Sequence, residues 1–170
     1  MTETLLGPAL VEEATKKSGL IWVRGDAPAA ARALWHVWHD GAAHVVGDGP
    51  GEQPLPGLVA GSTAEVTVRS KDKGGRIVAW TAAVSELAPG TEAWDAAVAE
   101  LKGKRLNAHD GEAMPERWAR ECRVLRLTPL DSTTDLPDGS LAAAPLPSEA
   151  ITRRPAPAAL PRLLFKRRKR

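Results

Sequence analysis

The stretch Arg32–Val46 reads RALWHVWHDGAAHVV and carries the clearest local structural signal in the chain. Its Asp40-Gly41 pair is the strongest two-residue hairpin signal in the chain, because both central residues of such a turn need a positive φ. Aromatic and β-branched residues flank the turn and favour strands. We therefore predict one strand over 32–39 and its return over 42–46.

Further strands and helices follow outward from this hairpin. Strands are predicted over 20–24, 64–69, 76–87 and 123–127, and helices over 7–17, 91–102 and 115–121. Thr91 can cap the second of these helices and Gly103 can stop it, while a polar turn over 71–75 joins two strands. Two hairpins without βαβ spacing imply an antiparallel sheet, and about six strands close best as a small barrel. The fold class predicted is mainly β (α+β), an antiparallel barrel with flanking helices.

The chain of 170 residues divides into two compositions. Residues 131–170 hold eight Lys and Arg against four Asp and Glu, with six of the fourteen prolines, whereas all six tryptophans lie within 1–130. A segment so poor in apolar bulk cannot offset its ordering entropy. We predict a folded domain over 1–130 and a disordered, Pro/Ala-rich basic tail over 131–170. The basic end Phe165–Arg170 is a candidate for weak binding to an anionic partner, either nucleic acid or a membrane surface.

Several classes of protein are excluded by what the chain lacks. A single cysteine, Cys122, excludes a disulfide framework and a cysteine zinc cage. No apolar run approaches the ~20 residues that span a bilayer, and the first residues lack the basic and apolar regions of a signal peptide. These features predict a cytoplasmic protein without a membrane span. No P-loop, dinucleotide or zinc-protease motif occurs, so no catalytic residue is assigned.

The hairpin carries three histidines, His36, His39 and His44, which invite a metal or haem hypothesis. Side chains alternate along a strand, so His36 and His39 fall on opposite faces, and only His36 and His44 could face each other across the turn. Two ligands are too few for a metal site, and we favour ordinary partly buried or surface histidines, with no metal. Trp35 and Trp38 likewise fall on opposite faces. One is expected to fill the barrel, and the other to cover a dimer surface or to stack on a planar cofactor.

Together, the hairpin at Asp40-Gly41, the second hairpin over 64–87, the helix around Trp94 and the closing strand Val124–Pro129 resemble the flavin-binding split barrel of the pyridoxamine 5′-phosphate oxidase-like proteins. The resemblance runs over roughly 8–129 and implies a split β-barrel. It also implies a homodimer that binds FMN or a deazaflavin at the subunit interface, beside a small-molecule substrate. Such a protein would be oxidoreductase-like, with the cofactor carrying out the chemistry. Two alternatives stay open: a non-catalytic split barrel that binds haem or another ligand, and a dimeric adaptor that uses its basic tail.

The same resemblance implies cofactor-binding residues. In the family, the first strand of this hairpin lines the flavin ring, and the turn after its second strand holds the phosphate. The ring wall would be Arg32, Leu34, Trp35, His36 and Val37. The phosphate segment would be 46–53, with Val46, Gly47, Asp48, Gly49 and Gln53 as its binding residues. That segment carries the carboxylates Asp48 and Glu52 and no cation, although a phosphate needs charge-assisted donors. Arg69 and Lys71, at the tip of the second hairpin, are therefore added as candidates for gripping an anion.

Overall fold

A computed structural model describes residues 3–26, 30–71 and 75–130, with side chains from Gly7 onward. The predicted tail over 131–170 and the tip of the second hairpin at 72–74 lie outside the described residues. The helices are α1 (Glu3–Lys17), α2 (Glu92–Lys104) and α3 (Met114–Glu121), the last preceded by a 3-10 turn at Gly111–Ala113. The strands are β1 (Leu20–Arg24), β2 (Arg32–Trp35), β3 (Val37–His39), β4 (Ala42–Gly47), β5 (Thr63–Arg69), β6 (Arg76–Glu86) and β7 (Arg123–Pro129). None of the helices within these ranges combines the length and the apolar composition that spanning a bilayer requires.

The strands form one antiparallel sheet in the order β2-β1-β5-β6-β7-β4-β3. The two edge strands, β2 and β3, are consecutive in the chain and are separated only by His36. The two edges of the sheet are therefore joined by one continuous segment, so that the sheet curls into a barrel that stays split at this point. The prediction of a small antiparallel split barrel with flanking helices is confirmed, with seven strands in the described part of the chain.

Two local predictions were wrong in detail. The strand predicted over 32–39 is divided at His36, because its first half pairs with β1 and its second half with β4. The helix predicted to stop at Gly103 continues to Lys104, and the N–H of Arg105 closes it by donating to the carbonyl of Leu101. The turn itself is as predicted, with positive φ at Asp40 (46°) and Gly41 (70°).

Side chains that alternate along the strands build two separate cores. The inward-facing residues, with Val11 of α1, fill the barrel, and Trp38 packs edge-on against Trp80 there at 6.3 Å between ring centroids. On the outer side of β3, β4 and β7, a second core lies beneath α2 and α3, where Trp35 packs against Trp118 at 6.4 Å. The predicted placement of Trp35 and Trp38 on opposite faces is confirmed.

Candidate functional site

The outward-facing side chains of β1, β2 and β5 form an open surface, which we call the β1–β2–β5 outer face. Leu20 pairs with Trp35 of β2, and Trp22 pairs with Thr67 of β5. Continuing that register by two residues places Arg69 beside Leu20. Leu20 is 50% exposed and Trp22 is half-buried, whereas the alternate residues of β1 are buried inside the barrel. Trp35, Leu20 and Arg69 therefore lie in one row across three neighbouring strands.

Gln53 holds the backbone of Trp35 from the predicted phosphate segment. Its side-chain carbonyl accepts the Trp35 N–H at 2.9 Å, and its amide donates to the carbonyls of Trp35 at 2.9 Å and Val46 at 3.2 Å. This side chain thus stands in for a neighbouring strand at the edge of β2. The guanidinium of Arg105 lies 5.7 Å from the centroid of the Trp35 ring. The half-buried indole is therefore fixed in place, with Trp118 on one side and a positive charge nearby.

A cluster of cations lies at the end of this face. Leu20, Trp22, Arg69 and Lys71 line part of a cavity of about 270 Å³, and the Arg69 guanidinium lies 4.5 Å from the centroid of the Trp22 ring. The pKa of Lys104 is lowered by burial and by the positive charge of Lys71. Lys104 itself lines a different cavity, with Lys16 and Trp38.

The segment predicted to hold phosphate contains a buried carboxylate with its own cations. The Glu52 side chain is 0% exposed and accepts from Arg105 Nε at 3.1 Å, Arg117 Nη2 at 3.1 Å and Trp118 Nε1 at 3.0 Å. We call these four residues the Glu52 cluster. Both arginines also donate to backbone carbonyls of the segment. Arg105 donates to the carbonyl of Gly51 at 3.0 Å, and Arg117 donates to that of Pro50 at 2.8 Å. The cations absent from the segment are therefore supplied by the helical layer.

Asp48 is likewise engaged within the protein. Its carboxylate accepts the backbone N–H of Leu55 at 2.7 Å and Arg123 Nη1 at 3.2 Å. Its own N–H donates to the carbonyl of Gln53 at 3.0 Å. The carboxylate and the N–H of Asp48 are therefore both hydrogen-bonded within the protein and not available to bind a ligand.

Two glycines of the segment, Gly47 and Gly49, are required by close packing of the chain on itself. A Cβ on Gly47 would lie 2.2 Å from the carbonyl oxygen of Gln53, and a Cβ on Gly49 would lie 2.3 Å from the sulfur of Cys122. No side chain fits such distances without a backbone shift. Burial raises the pKa of the Cys122 thiol, with smaller and opposing effects from neighbouring charges, which keeps that sulfur in its neutral, unreactive form.

Several of the predicted cofactor-binding residues, from both the ring wall and the phosphate segment, contribute side chains to the cores. Leu34 is in the barrel core and Val37 and Val46 are in the core beneath the helices, each at most 5% exposed. His36 is fully buried, and its Nε2 lies 2.8 Å from the carbonyl oxygen of Thr15, which fixes Nε2 as the protonated nitrogen. Burial lowers the pKa of His36 to about 4. Arg32, at the start of β2, is exposed.

The hairpin histidines are arranged differently from the prediction. His39 and His44 are neighbours, with ring centroids 5.9 Å apart, whereas His36 lies against α1 on the opposite face. Placing His36 across from His44 was therefore wrong, because the residue that pairs with His44 is Val37. The placement of His36 and His39 on opposite faces is confirmed. Among the side chains that the structure describes, no group of three or more His, Cys, Asp or Glu is arranged to hold a metal ion.

Arg105, Arg117 and Trp118 were not predicted as neighbours of the segment 46–53. The sequence carried one signal for them, since Glu52 in a segment rich in Gly and Pro needs a cation if it is buried. It contained nothing to identify which cation. The structure brings Trp35, Arg69 and Gln53 to one side of the barrel, and separates them from the buried Leu34 and His36.

Comparison with known proteins shows similarity of structure. No protein-family model matches the chain. No curated protein sequence is significantly similar to it. HutZ, the heme storage protein from Vibrio cholerae, has a TM-score of 0.52 at 14% identity, covering 74% of this chain and 91% of that chain. A putative pyridoxamine 5′-phosphate oxidase from Listeria innocua has a TM-score of 0.49 at 14% identity, covering 76% and 96%.

The FAD and heme binding protein from Mycobacterium smegmatis is a further match, with a TM-score of 0.48 at 15% identity, covering 79% of this chain and 73% of that chain. At such identities the similarity concerns the fold. The fold shared with HutZ confirms, at the level of architecture, the resemblance to the split-barrel proteins drawn from the hairpin.

Proposed function

We propose that this chain binds a planar, anionic redox cofactor of the flavin or deazaflavin class on the β1–β2–β5 outer face. The observation that carries the proposal is the row Trp35, Leu20 and Arg69. Neighbouring strands are about 4.8 Å apart, so the backbones of Trp35 and Arg69 lie about 10 Å apart across β1. The Arg69 guanidinium lies over the ring of Trp22. A fused three-ring system with a charged tail needs such a flat apolar surface that ends in a cation.

The anionic part of the cofactor is assigned to Arg69 and Lys71. Both line the cavity at the end of the face, where the Arg69 guanidinium lies over the Trp22 ring. The resemblance implies phosphate binding by 46–53. In that segment, however, the Asp48 carboxylate already accepts from Arg123 and from the Leu55 N–H, and the Glu52 carboxylate already accepts from Arg117. This chain therefore combines the family's ring wall at Trp35 with a different anion site.

Each residue has a binding or orienting role. Trp35 and Trp22 offer ring surfaces for stacking, and Gln53 keeps Trp35 in position. Arg105 lies beside the Trp35 ring, with its charge already paired with Glu52. A bound flavin or deazaflavin would supply hydride transfer, so that no side chain has to act as a general acid or base.

We further infer that a second copy of the chain covers this face. Leu20 and Trp22 leave an apolar and aromatic surface in water, and such surfaces are typical of subunit contacts. The cofactor would then lie between two subunits, and a small-molecule substrate would reach it at their junction. Light scattering on the purified chain tests this point, since a monomer with full cofactor affinity would contradict it.

The test of the cofactor proposal is a titration of the purified chain with FMN, a deazaflavin and haemin, followed by tryptophan fluorescence and the visible spectrum. We expect FMN or the deazaflavin to quench the fluorescence at saturation. Haemin is included because HutZ, which shares this fold, is a heme storage protein. Quenching by haemin alone, or by none of the three, would contradict the proposal.

Arg69→Gln and Arg24→Gln form a matched pair for this titration. Both arginines are exposed on the outer face, but Arg24 pairs with Glu65 at the other end of β1. Loss of one charge-assisted contact should weaken binding about tenfold or more in Arg69→Gln. Arg24→Gln should bind like the unmodified chain. Equal affinity in both variants would remove Arg69 from the site.

A further inference from the structure

The donors of the Glu52 cluster converge on one carboxylate from two helical elements. Arg105 Nε contacts the two oxygens at 3.1 and 3.4 Å, and Arg117 Nη2 and Trp118 Nε1 both contact Oε1, at 3.1 and 3.0 Å. Two guanidinium groups and an indole N–H around a fully buried carboxylate are the donor set of an anion-binding pocket. From these contacts we propose that Arg105, Arg117 and Trp118 form an anion-binding site whose resident ligand is the chain's own Glu52 side chain.

The donors are held in place by groups other than Glu52. Arg117 also donates to both oxygens of Asp110, at 2.5 and 3.3 Å, and the pKa of Arg117 is raised chiefly by that contact. Arg105 donates to the carbonyl of Leu106 at 2.8 Å. Trp118 is anchored by its fully buried ring in the core beneath the helices. A variant that lacks the carboxylate therefore keeps a preorganised site.

The charge of this site selects the anion. Without Glu52, two arginines oppose one carboxylate, Asp110, so that a single negative charge restores the balance. The space vacated is that of a carboxylate group with three donors around it. The site is therefore suited to a small monocarboxylate such as formate or acetate, and less to a phosphate dianion.

This assignment makes Glu52 a specificity-determining residue, a consequence that rests on the proposed function. With its own carboxylate in the site, the segment 48–53 is closed to an anionic group of a ligand. The tail of a cofactor is then directed to Arg69 and Lys71, at the end of the outer face.

Chemical rescue of Glu52→Ala tests the assignment without any cofactor. We expect this variant to melt below the unmodified chain, and formate or acetate to raise its melting temperature in a saturable way beyond chloride at equal ionic strength. At a formate concentration ten times its dissociation constant, the unfolding equilibrium constant should fall about elevenfold. Glu112→Ala is the matched control, because Glu112 is an exposed carboxylate paired with Lys102 at 2.7 Å.

The rescue must be confined to the Glu52 variant. If formate stabilises Glu52→Ala no more than chloride does, or stabilises Glu112→Ala equally, the assignment is wrong. If Glu52→Ala does not fold in chloride, it should still refold in formate. The near-isosteric Glu52→Gln serves as the folded reference. A failure of Glu52→Ala to refold in formate would overturn the assignment. The flavin titration does not enter this result, so either proposal can fail without the other.

Discussion

Removing the Gln53 side chain tests whether this single residue holds Trp35 in its position at the edge of β2. Gln53→Ala removes three hydrogen bonds, one from the Trp35 N–H and two to the carbonyls of Trp35 and Val46. A net contribution of about 0.5–1.5 kcal/mol for each bond predicts that the free energy of unfolding falls by about 1.5–4.5 kcal/mol. That loss is large but leaves the chain folded if its stability is in the ordinary range of about 5–15 kcal/mol.

Urea unfolding followed by tryptophan fluorescence measures this loss. Val59→Ala is the control, since Val59 is 59% exposed in the same connection between β4 and β5 and should change stability by less than about 0.5 kcal/mol. Gln53→Ala should also broaden the emission of Trp35 and weaken flavin binding, because the indole is then free to move. A variant as stable as the Val59→Ala control would refute the role given to Gln53.

Two further perturbations test the buried histidines and the packed loop. Burial lowers the pKa of His36 and of His44 to about 4 from 6.5, so the unfolded chain binds protons that the folded chain does not. Stability should be fully present above pH 6.5 and should fall by about 1.4 kcal/mol per pH unit for each histidine as the pH approaches 4, as measured by urea unfolding. His44→Gln should remove one histidine's share of that slope, and an unchanged slope would contradict the assignment. Gly49→Ala should lower the free energy of unfolding by about 1–3 kcal/mol, because its Cβ would clash with Cys122. The control is Gly103→Ala, which has open space around its Cβ and a helical backbone and should raise the free energy of unfolding by up to about 1 kcal/mol. A Gly49→Ala variant as stable as the unmodified chain would show that the loop is loosely packed.

The turn of the first hairpin could be predicted because its signal is local. Asp40 and Gly41 take positive φ values that few residue pairs accept, and strand alternation alone separates Trp35 from Trp38. The interruption at His36 could not be predicted, because it depends on which distant strands pair with each half of the segment. Helix α2 passes Gly103 because glycine disfavours a helix only weakly, and the N–H of Arg105 still bonds to the carbonyl of Leu101.

The candidate site was predictable only in part. Trp35 was predicted as a ring-wall residue from the family resemblance, but its relation to Arg69 depends on the register of β1 with two other strands. Glu52 is 53 residues from Arg105 and 65 from Arg117, and no local pattern encodes contacts over such separations. Asp48 and Glu52, which were expected to oppose a phosphate, are neutralised by arginines inside the protein.

The most direct measurement of the central claim is the affinity of Trp35→Ala for FMN or a deazaflavin, compared with that of the unmodified chain. If the indole forms the stacking surface, the variant should lose about 1–3 kcal/mol of binding free energy while its circular dichroism stays that of a folded protein. A folded Trp35→Ala protein that binds the cofactor with unchanged affinity would place the ring elsewhere and contradict the claim.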